Sequence, residues 1–292
     1  MIGRLFPGNL GNAPVLTRLG LGMTSRKVPC LLPPVVPFLS ETVIVIPALD
    51  ESASIGPTIR RWRELGAGRV RVVDNGSTDD TAAQAAACGA EVLREGLRGY
   101  GAAAWRGLEN WPGDFRWVIF SSADGSDRMT PAEARLWQAA VDDGADLVIG
   151  DRTATADSRR HLRPMQRLGN CVTSFALTAG WGRRFHDMGS LRLVGRRSLA
   201  AMRLTDRGFG WNVEMQVRAM ELGCAIVELP VGYHPRTAGK SKISGNLVGT
   251  LRAGKGILSM LARMLWWRLN ATRRIRDDAA MKAGAGWASE AE

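Results

Sequence analysis

Cysteine is scarce. Cys30, Cys88, Cys171 and Cys224 are the only four among 292 residues, with no C-x-x-C spacing and no histidine at metal-ligand spacing. That excludes a disulfide scaffold and suits reduced thiols in a cytoplasmic protein. Histidine is scarcer still: His161, His186 and His234 stand far apart and read as ordinary polar residues, not a metal set. Long apolar runs are missing too, and none reaches the roughly 18–20 residues of a spanning helix. Val28–Ala48 is broken by Pro29, Pro33, Pro34, Pro37, Pro47 and Glu41, and Gly256–Leu269 by Arg263 and Arg268. The first 22 residues carry Arg4 and Arg18 but no compact apolar block with a small-residue cleavage site, so no signal peptide is read. Met23 offers an alternative start, and residues 1–40 are expected to be loosely ordered.

Acidic residues are also short, 28 against 39 basic, for a net charge of +11. Otherwise 45% hydrophobic and 23% charged residues describe an ordinary globular chain, which excludes collagen, a coiled coil and a wholly disordered protein. The excess charge sits at the ends. Arg236 to Arg276 holds ten basic and no acidic residues, while 42–235 is close to neutral. Such a segment calls for an anionic partner: a membrane surface, nucleic acid or a phosphorylated ligand. Nucleic acid is not expected, because no RNA-binding aromatic motif is present and the basic residues follow an amphipathic helix.

From Thr42 onward, short apolar runs alternate with helical stretches. The expected strands are Thr42–Ile46, Arg69–Val73, Glu91–Leu93, Trp117–Ser121, Leu147–Ile149 and Ile226–Leu229; the expected helices are Ser52–Leu65, Thr78–Cys88, Gly99–Glu109 and Ala132–Asp143. Near-continuous apolar strands are covered on both faces, so the class is α/β with a mostly parallel sheet. Ligands of such sheets bind beyond the carboxyl ends of the strands. There the sequence places Pro47-Ala48-Leu49-Asp50-Glu51, Asp74-Asn75-Gly76-Ser77, Ser122-Ala123-Asp124-Gly125-Ser126-Asp127 and Gly150-Asp151-Arg152. Carboxylates beside arginine suit a divalent cation with a phosphorylated ligand. Ser77 or Thr78 can in addition cap the next helix.

These segments, with Arg-Gly-Tyr-Gly-Ala-Ala at 98–103, resemble glycosyltransferase family 2, in particular the polyprenyl-phosphate sugar transferases of the dolichol-phosphate mannose synthase type. Asp187-Met188-Gly189-Ser190-Leu191-Arg192, the segment 208–215, and Pro230 to Lys242 are similar to further motifs of that family, so the resemblance spans about Thr42 to Leu265. It implies a Rossmann-like GT-A fold, a nucleotide-sugar donor and Mg or Mn. Pro47, Leu49, Glu51, Val73, Asp74, Asn75, Arg98 and Ala123 would then border the donor. Asp124, with Asp127 in support, would hold the metal. Arg152, Arg236 and Lys242 would contact phosphate, and Asp187 and Glu214 would face the sugar or acceptor. The family's Asp-x-Asp motif has Ser122 at its first position here, and its Tyr-Asn-Glu is Leu49-Asp50-Glu51.

The resemblance implies inverting displacement of a nucleoside diphosphate. The stretch Arg236–Lys242 is expected to close over the donor as a mobile basic loop. A hydroxyl acceptor would need a base, for which Asp187 and Glu214 are the candidates; a lipid phosphate would not. The domain plan is a catalytic domain over 41–235, the basic loop and amphipathic helices over 236–276, and a disordered tail over 277–292. Asn246–Leu269, basic and ending near Trp266-Trp267, reads as a helix at the cytoplasmic face of a membrane, or as one packed on the body. Trp62, Trp105, Trp117 and Trp137 read as packing, whereas Trp181 and Trp211 fall on the acceptor side, where an indole can stack on a sugar. An oligomer is compatible with this reading. The alternatives are transfer to another lipid or a soluble hydroxyl, or a catalytically weak sugar-nucleotide-binding scaffold, suggested by Ser122.

Overall fold

The structure is a computed structural model and describes residues 36–110, 115–236 and 253–270. In chain order it contains α1 (Pro37–Ser40), β1 (Thr42–Ala48), α2 (Ser52–Glu64), β2 (Arg69–Asp74), α3 (Thr81–Ala87), β3 (Glu91–Arg94) and α4 (Tyr100–Arg106). Then come β4 (Trp117–Phe120), β5 (Asp127–Arg128), α5 (Pro131–Asp142), β6 (Leu147–Asp151), α6 (Ala156–His161) and α7 (Pro164–Trp181). β7 (Arg192–Gly195), α8 (Arg196–Met202), α9 (Trp211–Glu221), β8 (Ile226–Pro230) and β9 (Gly232–Tyr233) follow, and α10 occupies residues 253–270.

Seven strands make one sheet in the order β3-β2-β1-β4-β7-β6-β8. β1 pairs in parallel with β2 and β4, β2 with β3, and β6 with β8; β7 runs antiparallel to both its neighbours. β5 and β9 form a separate antiparallel pair. The mostly parallel sheet is covered on both faces, as the apolar strands require. On one face Ile55, Ile59 and Trp62 of α2 and Trp137 of α5 pack with Ile44, Ile46 and Ile119. On the other, Ala103 and Ala104 of α4, Val213 and Met215 of α9, and Met260 and Met264 of α10 pack with Val43, Val45 and Phe120.

Two expectations are corrected here. The loose extension does not run through residue 40: Phe38 and Leu39 of α1 are buried, and the Phe38 N–H donates to Gln138 Oε1 at 2.8 Å. Residues 1–35 and the tail 277–292 lie outside the described residues. The helix expected over Thr78–Cys88 starts only at Thr81 and has no side-chain cap, because Ser77 and Thr78 bond to the preceding loop instead. β7 was not anticipated: it is four residues long and opens with an arginine, so it carries no strand-like run.

The Gly-Tyr-Gly segment starting at Gly99 exists for close backbone approach. The N–H groups of Gly101 and Ala102 donate to the carbonyls of Gly208 (2.9 Å) and Arg207 (2.8 Å), which satisfies the open end of α4. A Cβ on Gly101 would lie 2.5 Å from the Asp206 carbonyl oxygen. Gly to Ala inside a helix ordinarily stabilises by up to about 1 kcal/mol. Here we expect the opposite sign: Gly101→Ala should cost about 1–3 kcal/mol by overpacking, read as a lower urea midpoint at unchanged m-value.

Candidate active site

The parallel strands β1, β2 and β4 end at one edge of the sheet. β7 is antiparallel, so the residues before it, not after it, reach the same edge. That brings Asp187–Arg192 alongside the acidic strand ends.

After β1 the chain turns at Asp50, which adopts φ 48°, a left-handed conformation that aspartate tolerates better than most residues. The turn is held by the next loop. Asp50 Oδ1 accepts from the Thr78 N–H (2.7 Å) and hydroxyl (3.1 Å), the Asp50 N–H donates to Ser77 Oγ (2.9 Å), and the Glu51 N–H donates to Thr81 Oγ1 (2.7 Å). None of these latches is legible as a motif. Together they aim the buried Glu51 inward, where Oε2 accepts from Ser54 Oγ (2.9 Å) and Oε1 from Arg236 Nη2 (2.9 Å). Pro47 and Leu49 are half-buried at the rim.

After β2, Asp74 Oδ1 accepts from the Ser77 N–H at 3.0 Å, and Arg98 donates to the Gly76 carbonyl at 3.0 Å. Two donor-contact expectations fail here. Val73 is fully buried in the core, facing α4, and cannot line a pocket. The Asn75 amide donates to the Glu95 (3.1 Å) and Leu97 (2.8 Å) carbonyls, and its oxygen accepts from Gly99 N–H (2.9 Å). Asn75 therefore shapes the loop over 95–99 and has no donor left for a base or ribose.

After β4, the segment Ser122–Asp127 curls on itself. Asp124 Oδ1 accepts from the Ser126 N–H (3.0 Å) and hydroxyl (2.6 Å), and Oδ2 from Arg236 Nε (2.8 Å). Burial works against its ionisation, but Ser126 and Arg236 prevail and hold the carboxyl below the usual range. Asp127 Oδ2 accepts from the hydroxyls of Ser122 (2.6 Å) and Ser190 (3.2 Å), whereas its Oδ1 is buried and takes no hydrogen bond among the described residues. Burial pushes this carboxyl up, only partly offset by Arg152 and Ser122. Ala123 is buried, its carbonyl accepting from Thr58 Oγ1 at 3.4 Å.

After β6, Arg152 meets Asp187 from the segment before β7. Asp187 Oδ2 accepts from Arg152 Nε (2.6 Å) and its backbone N–H (3.0 Å); Oδ1 accepts from Arg152 Nη2 (2.8 Å), Asn170 Nδ2 (2.7 Å) and the Met188 N–H (2.8 Å). The guanidinium also lies over the Tyr233 ring, 4.9 Å from its centroid. Burial opposes both charges, yet their mutual attraction lowers the pKa of Asp187 and raises that of Arg152. Asp187 is completely buried and saturated, so it orients Arg152 and is not placed to act as a base. The same reasoning corrects Glu214. It is buried on α9 and accepts from the Thr205 N–H (3.0 Å) and hydroxyl (2.8 Å) and the Asp206 N–H (2.7 Å), holding the loop that meets α4. Trp211 is core, edge-on to Phe120 at 6.0 Å, and stacks on no sugar; Trp181 is half-buried. Lys242 and the rest of the basic loop over 237–252 lie outside the described residues.

The site's edge therefore joins Glu51, Asp124, Asp127, Arg152 and Arg236, with Leu49, Asp74 and Arg98 along one side. Comparison with known proteins bears on the family and the fold. The family model described as Glycosyl transferase family 2 matches residues 43–202. An uncharacterized glycosyltransferase of Mycobacterium tuberculosis is 39% identical over 210 residues, 72% of this chain and 93% of its own. The undecaprenyl-phosphate mannosyltransferase of Micrococcus luteus is 31% identical over 229 residues, 70% of this chain and 88% of its own. Among solved structures, glucosyl-3-phosphoglycerate synthase from Mycobacterium tuberculosis, in complex with Mn2+, UDP and phosphoglyceric acid, superposes with a TM-score of 0.62 at 20% identity. It covers 79% of this chain and 82% of that one. The fold is thus the GT-A, Rossmann-like one.

Removing one partner of a buried pair strands the other's charge, so Asp187→Asn should destabilise the protein by about 3–5 kcal/mol at neutral pH. Asp187 has a lowered folded-state pKa. Its contribution is present above the unfolded value near 3.9 and is lost as pH falls towards the folded one. Urea titrations should accordingly show the gap between wild type and variant narrowing below about pH 4.

Proposed function

The chain belongs to glycosyl transferase family 2, and we propose that it moves a hexosyl group from a UDP- or GDP-sugar to a polyprenyl-phosphate lipid with inversion. The observation that carries the acceptor reading is that Asp187 and Glu214 are buried and engaged, Asp187 accepting five hydrogen bonds and Glu214 three, so neither is placed to take a proton from a hydroxyl. A phosphate acceptor is already an anion and needs no such base. The name of the Micrococcus luteus relative supports the same acceptor.

In the proposed reaction an acceptor phosphate oxygen bonds to the anomeric carbon as the bond to the nucleoside diphosphate breaks, the electron pair leaving with the diphosphate. Leu49, Asp74 and Arg98 border the nucleoside. Arg236, which now bridges Glu51 and Asp124, turns to the diphosphate when the donor arrives. Lys242, outside the described residues, is the proposed second cation against the phosphates. Arg152, its charge paired with Asp187, holds its place as the donor binds.

The oxygen-only set of Asp124 and Asp127, with Ser122 and Ser126 beside them, fits a hard dication, Mg or Mn. The buried, unpartnered Oδ1 of Asp127 is the atom such an ion would satisfy. An ion held there would supply positive charge against the leaving diphosphate. Ser122, in place of the family's first aspartate, supports Asp127 through its hydroxyl.

A membrane-facing surface supports the lipid acceptor. Met165, Leu168, Val172 and Phe175 of α7 are exposed at helical spacing, Phe175 by 76%. On α10, Trp266, Trp267 and Leu269 are also exposed, and Arg268 lies over Trp181 at the end of α7. Among the described residues no helix is long and apolar enough to cross a membrane. Exposed apolar side chains together with the exposed Arg167 of α7 and Arg268 of α10 suit the interface of an anionic bilayer.

The deciding assay is nucleoside diphosphate release from UDP-glucose, UDP-GlcNAc and GDP-mannose, with and without polyprenyl phosphate, in Mg, Mn or EDTA. Lipid-dependent, EDTA-sensitive release from one donor is expected, with turnover falling by orders of magnitude in Asp124→Asn. Near-normal turnover in that variant would sink the metal assignment. In flotation assays, Phe175→Ala combined with Trp266→Ala should weaken binding to anionic vesicles at least about tenfold, each ring forfeiting a kcal/mol or more of apolar burial.

A further inference from the structure

α6 and β9 are clamped together by one buried hydroxyl. Ser158 Oγ donates to the Val231 carbonyl at 3.2 Å and accepts from the Tyr233 N–H at 3.0 Å. Asp157 and His161 sit one turn apart on α6 and so share a face. His234 follows β9, its N–H donating to the Ser126 carbonyl at 2.9 Å. Strand alternation sends Tyr233 under Arg152 and His234 to the opposite face, towards α6. The outcome contradicts the sequence reading of unrelated histidines. The rings of His161 and His234 are 6.1 Å apart at 29°, and one ligand atom from each of Asp157, His161 and His234 lies within 4.8 Å of the others.

We propose that Asp157, His161 and His234 form a binding site for one zinc-class transition-metal ion. Two imidazole nitrogens and a carboxylate oxygen match the borderline character of Zn2+, Co2+ or Ni2+, unlike the oxygen-only set around Asp124. Zinc bonds of about 2.0–2.2 Å require the three atoms to draw in by about an ångström, within reach of side-chain rotation because none of the three residues is buried. Arg160 is the competitor. Its guanidinium pairs with Asp157 Oδ1 at 2.5 Å, and its Nε donates to His161 Nε2 at 3.4 Å. Its side chain is 69% exposed and can swing into water at little cost. Arg128 and Arg61 also act on His234; with burial they lower its pKa, leaving the neutral imidazole that binds metal. The ion would fasten α6 to the position two residues before Arg236, and so brace the root of the arginine that spans Glu51 and Asp124. This site does not depend on the proposed transfer reaction.

The test uses tag-free, chelator-stripped full-length protein and two metals. Co2+ should give a visible d–d absorption saturating at this site and displaced by Zn2+, and Zn2+ should raise the melting temperature. His161→Ala and His234→Ala should each abolish the band and weaken Zn2+ by more than the roughly tenfold that loss of an outer-shell partner costs. Asp124→Asn should keep both signals. Matching melting temperatures of the metal-free proteins establish that the variants are folded, with Asp157→Asn as a third probe. The proposal is overturned if wild type shows no cobalt band, if both histidine variants bind Zn2+ like wild type, or if the signals are lost only in Asp124→Asn.

Discussion

The ion pair between Arg152 and Asp187 organises the site. It joins the end of β6 to the segment before β7, two strands that run in opposite directions and would otherwise share only backbone bonds. Taking both charges out of water is costly, and the mutual attraction compensates only with full hydrogen bonding. Asp187 meets that condition, with every contact drawn from Arg152, Asn170 and Met188. The pair in turn seats Arg152 on Tyr233, and Tyr233 carries the chain towards Arg236.

Two arginines thus have opposite duties. Arg152 is immobilised, its charge paired with Asp187. Arg236 is held by two carboxylates from separate loops, contacts that a phosphorylated ligand can replace one for one. The acids follow the same division. Asp187 and Glu214 are spent on structure, while Asp124 is met by Arg236 and Asp127 by two serine hydroxyls at the strand ends.

The doubly covered sheet was legible because fully buried strands are near-continuous apolar runs. Each of the six expected strands is present within a residue or two, as are the four helices, apart from the late start of α3 and the end of α4 at Arg106, three residues short of Glu109. β7 escaped because burying an arginine needs partners that sequence does not display: Arg192 donates to the Gly189 carbonyl close by and to the Asn212 carbonyl of α9. Val73 and Asn75 were misplaced for a related reason. A residue at a strand end is either core or rim depending on one step of the pleat, and an amide is available only if no neighbouring loop claims it.

By itself, the sequence determined the α/β class, the family, the edge at which acids gather and the basic, tryptophan-bearing C-terminal region, since all of these follow from local composition and spacing. Tertiary structure alone decided which charges are free. Asp187 is silenced by Arg152, Asp124 is met by Arg236, and His161 finds His234 because a buried serine clamps a short helix to a two-residue strand. Pairings of that kind depend on distances between elements remote in the chain, and no periodicity records them.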